Sequence, residues 1–136
     1  MIRLSDKITW FWGSITHEAL IVSLGEMLSD KASLRKITAK GIHDFLGFQG
    51  KIILSSIMPD EILDSLTGRK YARLIRAVRP DAAMVLDCYT YIDDPLVISW
   101  KQLIKYVNNM VYTINNVDVP LLGIVKGRIL VKFLGA

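Results

Sequence analysis

Four short apolar runs punctuate the chain: "ALIVSL" from residue 19, "KIILSS" from 51, "AAMVLD" from 82 and "PLLGIV" from 120, spaced about thirty residues apart. Continuous apolar runs of this length read as strands covered on both faces, where alternation is not needed. The segments between them have helical traits. Residues 31–46 carry Leu34, Ile37, Ile42 and Phe45 at roughly helical spacing, and Gly41 is expected to split the segment. A second helix is expected to begin at Pro59, where Asp60 and Glu61 complement the positive end of the dipole. Arg76 and Arg79 suit its carboxyl end, and Pro80 stops it. The third follows Pro95 and carries Ile98, Leu103, Val107 and Val111 until "NNVD" breaks it.

This order, β-α-β-α-β-α-β, predicts an α/β fold of four mostly parallel strands joined by right-handed crossovers, which is half of a TIM-type (β/α) barrel. No linker or charge block divides residues 1–136, so a single domain is expected. "LLGIV" and "RILVKFL" are separated only by Lys126 and Gly127, too few residues for a helical crossover. A C-terminal hairpin turning on Gly127 is one reading, and an amphipathic helix beginning at "RILVKFL" is the other. The run "AAMVLDCYTY" ends on a carboxylate, Asp87. In α/β folds the carboxyl ends of the strands form the ligand crevice, so Asp87 is a candidate ligand residue.

Composition narrows the function classes modestly. Seventeen Lys plus Arg against thirteen Asp plus Glu give a net charge of +4 and a pI near 9.3, compatible with polyanionic partners and equally with solubility alone. The one cysteine, Cys88, excludes an intramolecular disulfide and a zinc-ligand cluster, and suits a reducing, cytoplasmic setting. The apolar runs are shorter than the roughly 18 residues a membrane span requires, and the mixed-charge start "MIRLSDKITWFWGS" does not read as a leader; a soluble, unprocessed chain is expected.

Three segments in order resemble the tRNA-guanine transglycosylase superfamily, including relatives that place 7-deazaguanine bases in DNA. "GIHDFLGFQGKIILSS" is similar to the family's Gly-Leu/Ile-His, Phe-Leu, Gly run entering a strand and an Asp-Ser-Gly turn. "PDAAMVLDCYT" resembles the strand presenting a base-recognising aspartate, and "VPLLGIVKGR" resembles the Gly-Ile-Val-Gln-Gly-Gly strand and turn. The resemblance covers about residues 17–128. It implies a barrel enzyme that exchanges guanine for a 7-deazaguanine at a nucleotide's C1′, with one aspartate holding the heterocycle, a second in acid/base work and a third as nucleophile.

Carried over by position, the resemblance implies base binding by Asp87, Gly123, Ile124, Val125 and Gly127. A carboxylate suits the task because it accepts two hydrogen bonds side by side. Lys126 stands in place of the family's glutamine and Arg128 in place of its second glycine. At the Asp-Ser-Gly turn this chain has Ser55, Ser56 and Ile57, so Ser55 marks a lost acid/base carboxylate. The family's nucleophile and zinc ligands lie in its second half and have no counterpart here. The expectation is therefore a protein with no catalytic residue, metal or cofactor of its own, which binds a guanine or 7-deazaguanine base, or tRNA or DNA. It would act as a homo-oligomer or beside a complementary half-barrel subunit of a split base-exchange enzyme. The alternative is a non-enzymatic interaction protein that uses the fold to bind another protein.

Each candidate has a structural competitor. Asp87 could instead cap the following loop. Cys88 reads as a small buried residue and His43 as a helix-end donor to backbone. His17 reads as a loop or cap position. Ser55 and Ser56 have no His–carboxylate partner readable from sequence. Asp93 and Asp94 before Pro95 look like a helix start rather than a metal pair. Trp10, Phe11 and Trp12 form an apolar knot, packed over the barrel end or open to a partner. Arg69, Lys70, Arg73 and Arg76 form a cationic stripe on one helix face, either a solvated surface or a track for a phosphate backbone.

Overall fold

The computed structural model of the chain describes residues 19–89, 91 and 93–123. Its elements follow one another as β1 (Ala19–Ser23), α1 (Leu24–Ser29), α2 (Lys31–Lys40), α3 (Ile42–Leu46), β2 (Lys51–Ser55), α4 (Asp60–Asp64), α5 (Gly68–Val78), β3 (Ala82–Met84), α6 (Leu96–Asn116) and β4 (Leu121–Leu122). The strands lie side by side in chain order and every neighbouring pair is parallel, in an α/β sheet. Ile21 is level with Ile53 and Ala82, Val22 with Leu54 and Ala83, and Met84 with Leu122. Among the described residues no helix is long and apolar enough to cross a membrane.

Local chemistry sets the breaks between helices. The Ser23 hydroxyl accepts the Glu26 amide at 3.4 Å and starts α1. Asp30 accepts both the amide and the hydroxyl of Ser33, at 3.2 and 2.6 Å, and starts α2. Gly41 separates α2 from α3 with φ 87 and ψ 158, a conformation that a side chain would oppose. The expected split at Gly41 is thus present.

The single helix expected between Pro59 and Pro80 is instead two. Thr67 accepts the Lys70 amide at 3.2 Å and opens a new helix, α5, after a break at Ser65–Thr67. Gly68, the first residue of α5, lies so close to α6 that a Cβ there would come within 3.2 Å of Asn109. Arg79 closes α5 with φ 60, the left-handed cap position that glycine usually takes. Helix α1 answers to nothing in the sequence reading. The third strand is also shorter than the run "AAMVLD" implies: it ends at Met84, with Val85 still donating to the Leu122 carbonyl at 2.9 Å, so Asp87 stands beyond the strand end.

Among the described residues the sheet is covered on one side, where sequence predicted both faces. Leu20, Val22, Ile52, Leu54 and Ala83 point into a core formed with Ile37, Ile42, Phe45, Leu63, Tyr71, Ile75 and Val78 of the helices. On the other face Ile21 is 39% exposed, and Ile53 and Met84 are half-buried. The strands carry apolar residues on both faces, and among the described residues helices cover only one of them. A smaller cluster of Val85, Cys88 and Tyr106, joined by Leu103, Met110 and Leu121, seats α6.

At the amino end of the sheet one carboxylate ties three segments together. Asp81 accepts the Ile52 amide at 2.8 Å and a His43 Nε2 contact at 2.7 Å through the same oxygen, while its own amide donates to the Ile52 carbonyl at 2.9 Å. His43 Nδ1 meets the Phe48 carbonyl at 2.9 Å. Both ring nitrogens therefore lie against oxygens, one of the backbone and one of Asp81. Burial alone would raise the Asp81 carboxyl pKa, but the Ile52 amide, His43 and Lys51 together bring it below its ordinary value. A lowered carboxyl pKa contributes stability that is full above the unfolded value and is lost as pH falls through the folded one. Asp81→Asn should therefore lower unfolding stability by about 1–3 kcal/mol at neutral pH, with the gap to the parent closing below about pH 4, as read by urea denaturation across pH.

Candidate functional site

The carboxyl edge of the sheet is built by hydroxyls. Ser23 and Ser55 are level on β1 and β2, and Ser55 and Ser56 are fully buried. The Ser55 hydroxyl accepts the Ile57 amide at 3.2 Å, closing the turn that leaves β2. Ser56 donates to the Val85 carbonyl at 2.6 Å, and the Tyr71 phenol donates to the neighbouring Met84 carbonyl. Two successive carbonyls at the end of β3 are thus held by two side chains from adjoining segments. Burial pushes the Tyr71 phenol far above its ordinary pKa, with Ser56 acting in the opposite direction, so Tyr71 remains a neutral donor throughout the physiological range.

Asp87 follows two residues after Val85, half-buried, and one of its carboxylate oxygens accepts the amide of Cys88 at 2.7 Å. That bond is the local cap anticipated as the competitor to ligand binding. Gly123 lies just past β4 on the neighbouring strand, exposed, and a Cβ there would meet nothing within 4 Å. Ser55 ends β2 and Ser56 follows it, Asp87 lies three residues past β3, and Gly123 directly follows β4, so all four belong to the carboxyl side of three neighbouring strands. Ile124, Val125 and Gly127 of the expected base pocket lie outside the described residues, as do the hairpin or helix after them, His17 and the Trp10–Trp12 knot.

The loop beyond Asp87 is tethered to α4. The Tyr89 hydroxyl donates to Asp64 at 2.7 Å and the Tyr91 hydroxyl to Asp60, the two rings lying 5.8 Å apart. The hydrogen bond to Asp64 raises the Tyr89 phenol pKa above its ordinary value. Asp93 and Asp94 stand just before the start of α6, as sequence predicted; Asp94 accepts the Tyr91 amide at 2.8 Å and closes the preceding turn, and the N-cap position is Pro95, with no side-chain cap hydrogen bond. Lys105 of α6 stands 3.7 Å from Asp64. Cys88 is buried, as expected. His43 has the backbone partner expected of it, and its carboxylate partner Asp81, 38 positions away, had no local signal.

The cationic stripe is real and divided in its duties. Arg69, Lys70, Arg73 and Arg76 are all exposed on α5. Arg76 donates to the Asn116 carbonyl at the end of α6 at 2.7 Å, and Lys70 to the Ser65 carbonyl at 3.2 Å. Lys70 and Arg73 also border an open groove of about 610 Å³ floored by Leu28, Ile62, Leu66 and Leu74, none of which belongs to the strand-end edge. Among the described residues no cluster of His, Cys, Asp or Glu could hold a metal ion.

No protein-family model matches the chain, and no curated protein matches it.

A phosphate backbone on α5 would contact Arg69 and Arg73 before Arg76, whose guanidinium is engaged. Arg69→Gln with Arg73→Gln should weaken binding to RNA or DNA equally for all sequences. It should also reduce the slope of log affinity against log salt by about 2, measured by fluorescence anisotropy at several salt concentrations.

Proposed function

We propose that the chain is a transglycosylase-like half-barrel that binds a guanine-type base, free or within tRNA or DNA, and performs no base exchange alone. The observation that supports this reading is that Ser55, Ser56, Asp87 and Gly123 lie at or just past the carboxyl ends of three neighbouring parallel strands, the edge at which α/β proteins bind ligands. Asp87 supplies a carboxylate for paired acceptance from the base's amide and amino hydrogens, and the resemblance in sequence supplies the base class. Ser55 stands where the family's acid/base carboxylate stands; it is buried and its oxygen already serves the Ile57 amide, so it offers no proton chemistry to a substrate. The sheet face that the described helices leave uncovered, with Ile21 exposed, fits a layer that a complementary half-barrel would close.

A second reading has its own observation. Helix α6 carries Val97, Trp100, Ile104, Val107, Val111 and Ile114 exposed, an apolar surface better suited to another protein than to a small ligand. On that reading Asp87 is a loop cap and the fold is a scaffold for interaction.

Asp87→Asn separates the two. Replacing one acceptor by a donor opposes the base's own donors, so affinity for guanine or a 7-deazaguanine should fall by about 2–4 kcal/mol in calorimetry, with little change in thermal stability. If the variant unfolds and the parent binds neither base at millimolar concentration, Asp87 is a cap and the interaction reading stands. Radiolabelled guanine should not enter tRNA or DNA in the presence of the purified chain; measurable incorporation would refute the loss of exchange chemistry.

A further inference from the structure

Helix α6 has three faces. Its buried face, Ser99, Tyr106 and Thr113 with Leu103 and Met110, packs on the small cluster beside β3 and β4. A flank toward α5 is fixed by polar contacts: Asn109 accepts the Gly68 amide at 3.1 Å, the Asn116 carbonyl takes Arg76, and Lys105 faces Asp64. At 100° per residue, the opposite flank holds Val97, Trp100, Ile104, Val107, Val111 and Ile114. Their exposures run from 38% at Trp100 to 59% at Val97.

The spacing of these six is three, four, three, four, three, the a/d pattern of a helix–helix seam sustained for nearly three heptads. A flank that merely faced water would carry charges. The 21 residues of α6 hold only Lys101 and Lys105, and both lie off the seam. Depletion of charge around an aromatic and aliphatic centre is the composition of an interface core.

We propose that this flank is the self-association surface of the protein, with α6 of a second copy packed antiparallel along it. The pairing follows from side-chain size. An antiparallel two-fold sets Trp100 against the partner's Val111, Ile104 against the partner's Val107, and Val97 against the partner's Ile114, so each layer joins a larger side chain to a smaller one. A parallel two-fold would stack Trp100 on the partner's Trp100 and leave valine against valine in three other layers. The antiparallel arrangement also opposes the helix dipoles. From their exposures the six residues leave roughly 500 Å² of surface per copy, so a symmetric pair that covered all of it would remove about 1,000 Å², the lower threshold for a specific interface. This surface is separate from the strand-end edge and does not depend on base binding.

Sedimentation equilibrium of the full chain should give a dimer at micromolar concentration. Ile104→Lys with Val107→Lys, both exposed positions, should raise the dissociation constant about a hundred-fold or more and yield a monomer with unchanged far-UV circular dichroism. Disulfide trapping reads the geometry in an otherwise native chain, because Cys88 is buried. Ile104→Cys mixed with Val107→Cys should cross-link to a heterodimer under mild oxidation, and Ile104→Cys alone should not. A monomeric parent, a dimer indifferent to both lysines, or self-cross-linking of Ile104→Cys without the mixed species would each overturn the proposal.

Discussion

The short third strand is the constraint on which the rest of this molecule depends. Three residues of β3 must register β2 on one side and β4 on the other, and three residues of ladder are too few to do so unaided. The chain therefore clamps both ends. Asp81 at the start exchanges hydrogen bonds with the Ile52 backbone in both directions, as a strand residue would, and adds His43 from α3. Tyr71 and Ser56 hold the Met84 and Val85 carbonyls at the finish. Between these clamps Ala83 is fully buried in the core that holds Tyr71, Ile75 and Val78 of α5. Losing either clamp would free the loop that carries Asp87, so the geometry at the strand-end edge is inherited from contacts that touch no ligand.

Much of the architecture was legible from residue patterns. Four apolar runs at even spacing separated by capped, amphipathic segments yield a parallel α/β sheet, and Gly41 and Pro80 mark their breaks because glycine and proline restrict what the backbone can do. Where the reading failed, the decisive contact was distant. The break before α5 comes from Thr67 capping and from the approach of α6 to Gly68, 41 positions from its partner Asn109. The early end of β3 is a tertiary choice too, since Val85 and Leu86 are as apolar as the residues before them. One-sided coverage was hidden for a similar reason: an apolar run states that both faces of a strand can be buried and is silent on whether anything is there to bury them.

The candidate site was legible to a smaller extent. Asp87 is at the expected edge, yet the same short side chain that could hold a base also caps the Cys88 amide, and nothing local distinguishes the two. The stripe on α5 shows the same ambiguity resolved by geometry: four cations at helical spacing look equivalent in sequence, but Arg76 is spent on the end of α6.

The apolar residues of α6 are visible in the sequence, but their presence does not say which of them face inward. Of Ile98, Leu103, Val107 and Val111, Leu103 alone packs on the small cluster, and the other three are exposed. The burying face is instead built on Ser99, Tyr106 and Thr113, residues of ordinary or weak apolarity. The small cluster beside β3 has room for little else, because it consists of Val85, Cys88 and Tyr106. A helix that commits its polar and small residues to its own domain and turns its β-branched residues outward has its strongest apolar flank opposite α5. Within its own domain the helix is held by Leu103, Tyr106 and Met110 in the small cluster and by the polar bonds to Gly68 and Arg76, while its β-branched flank stays exposed.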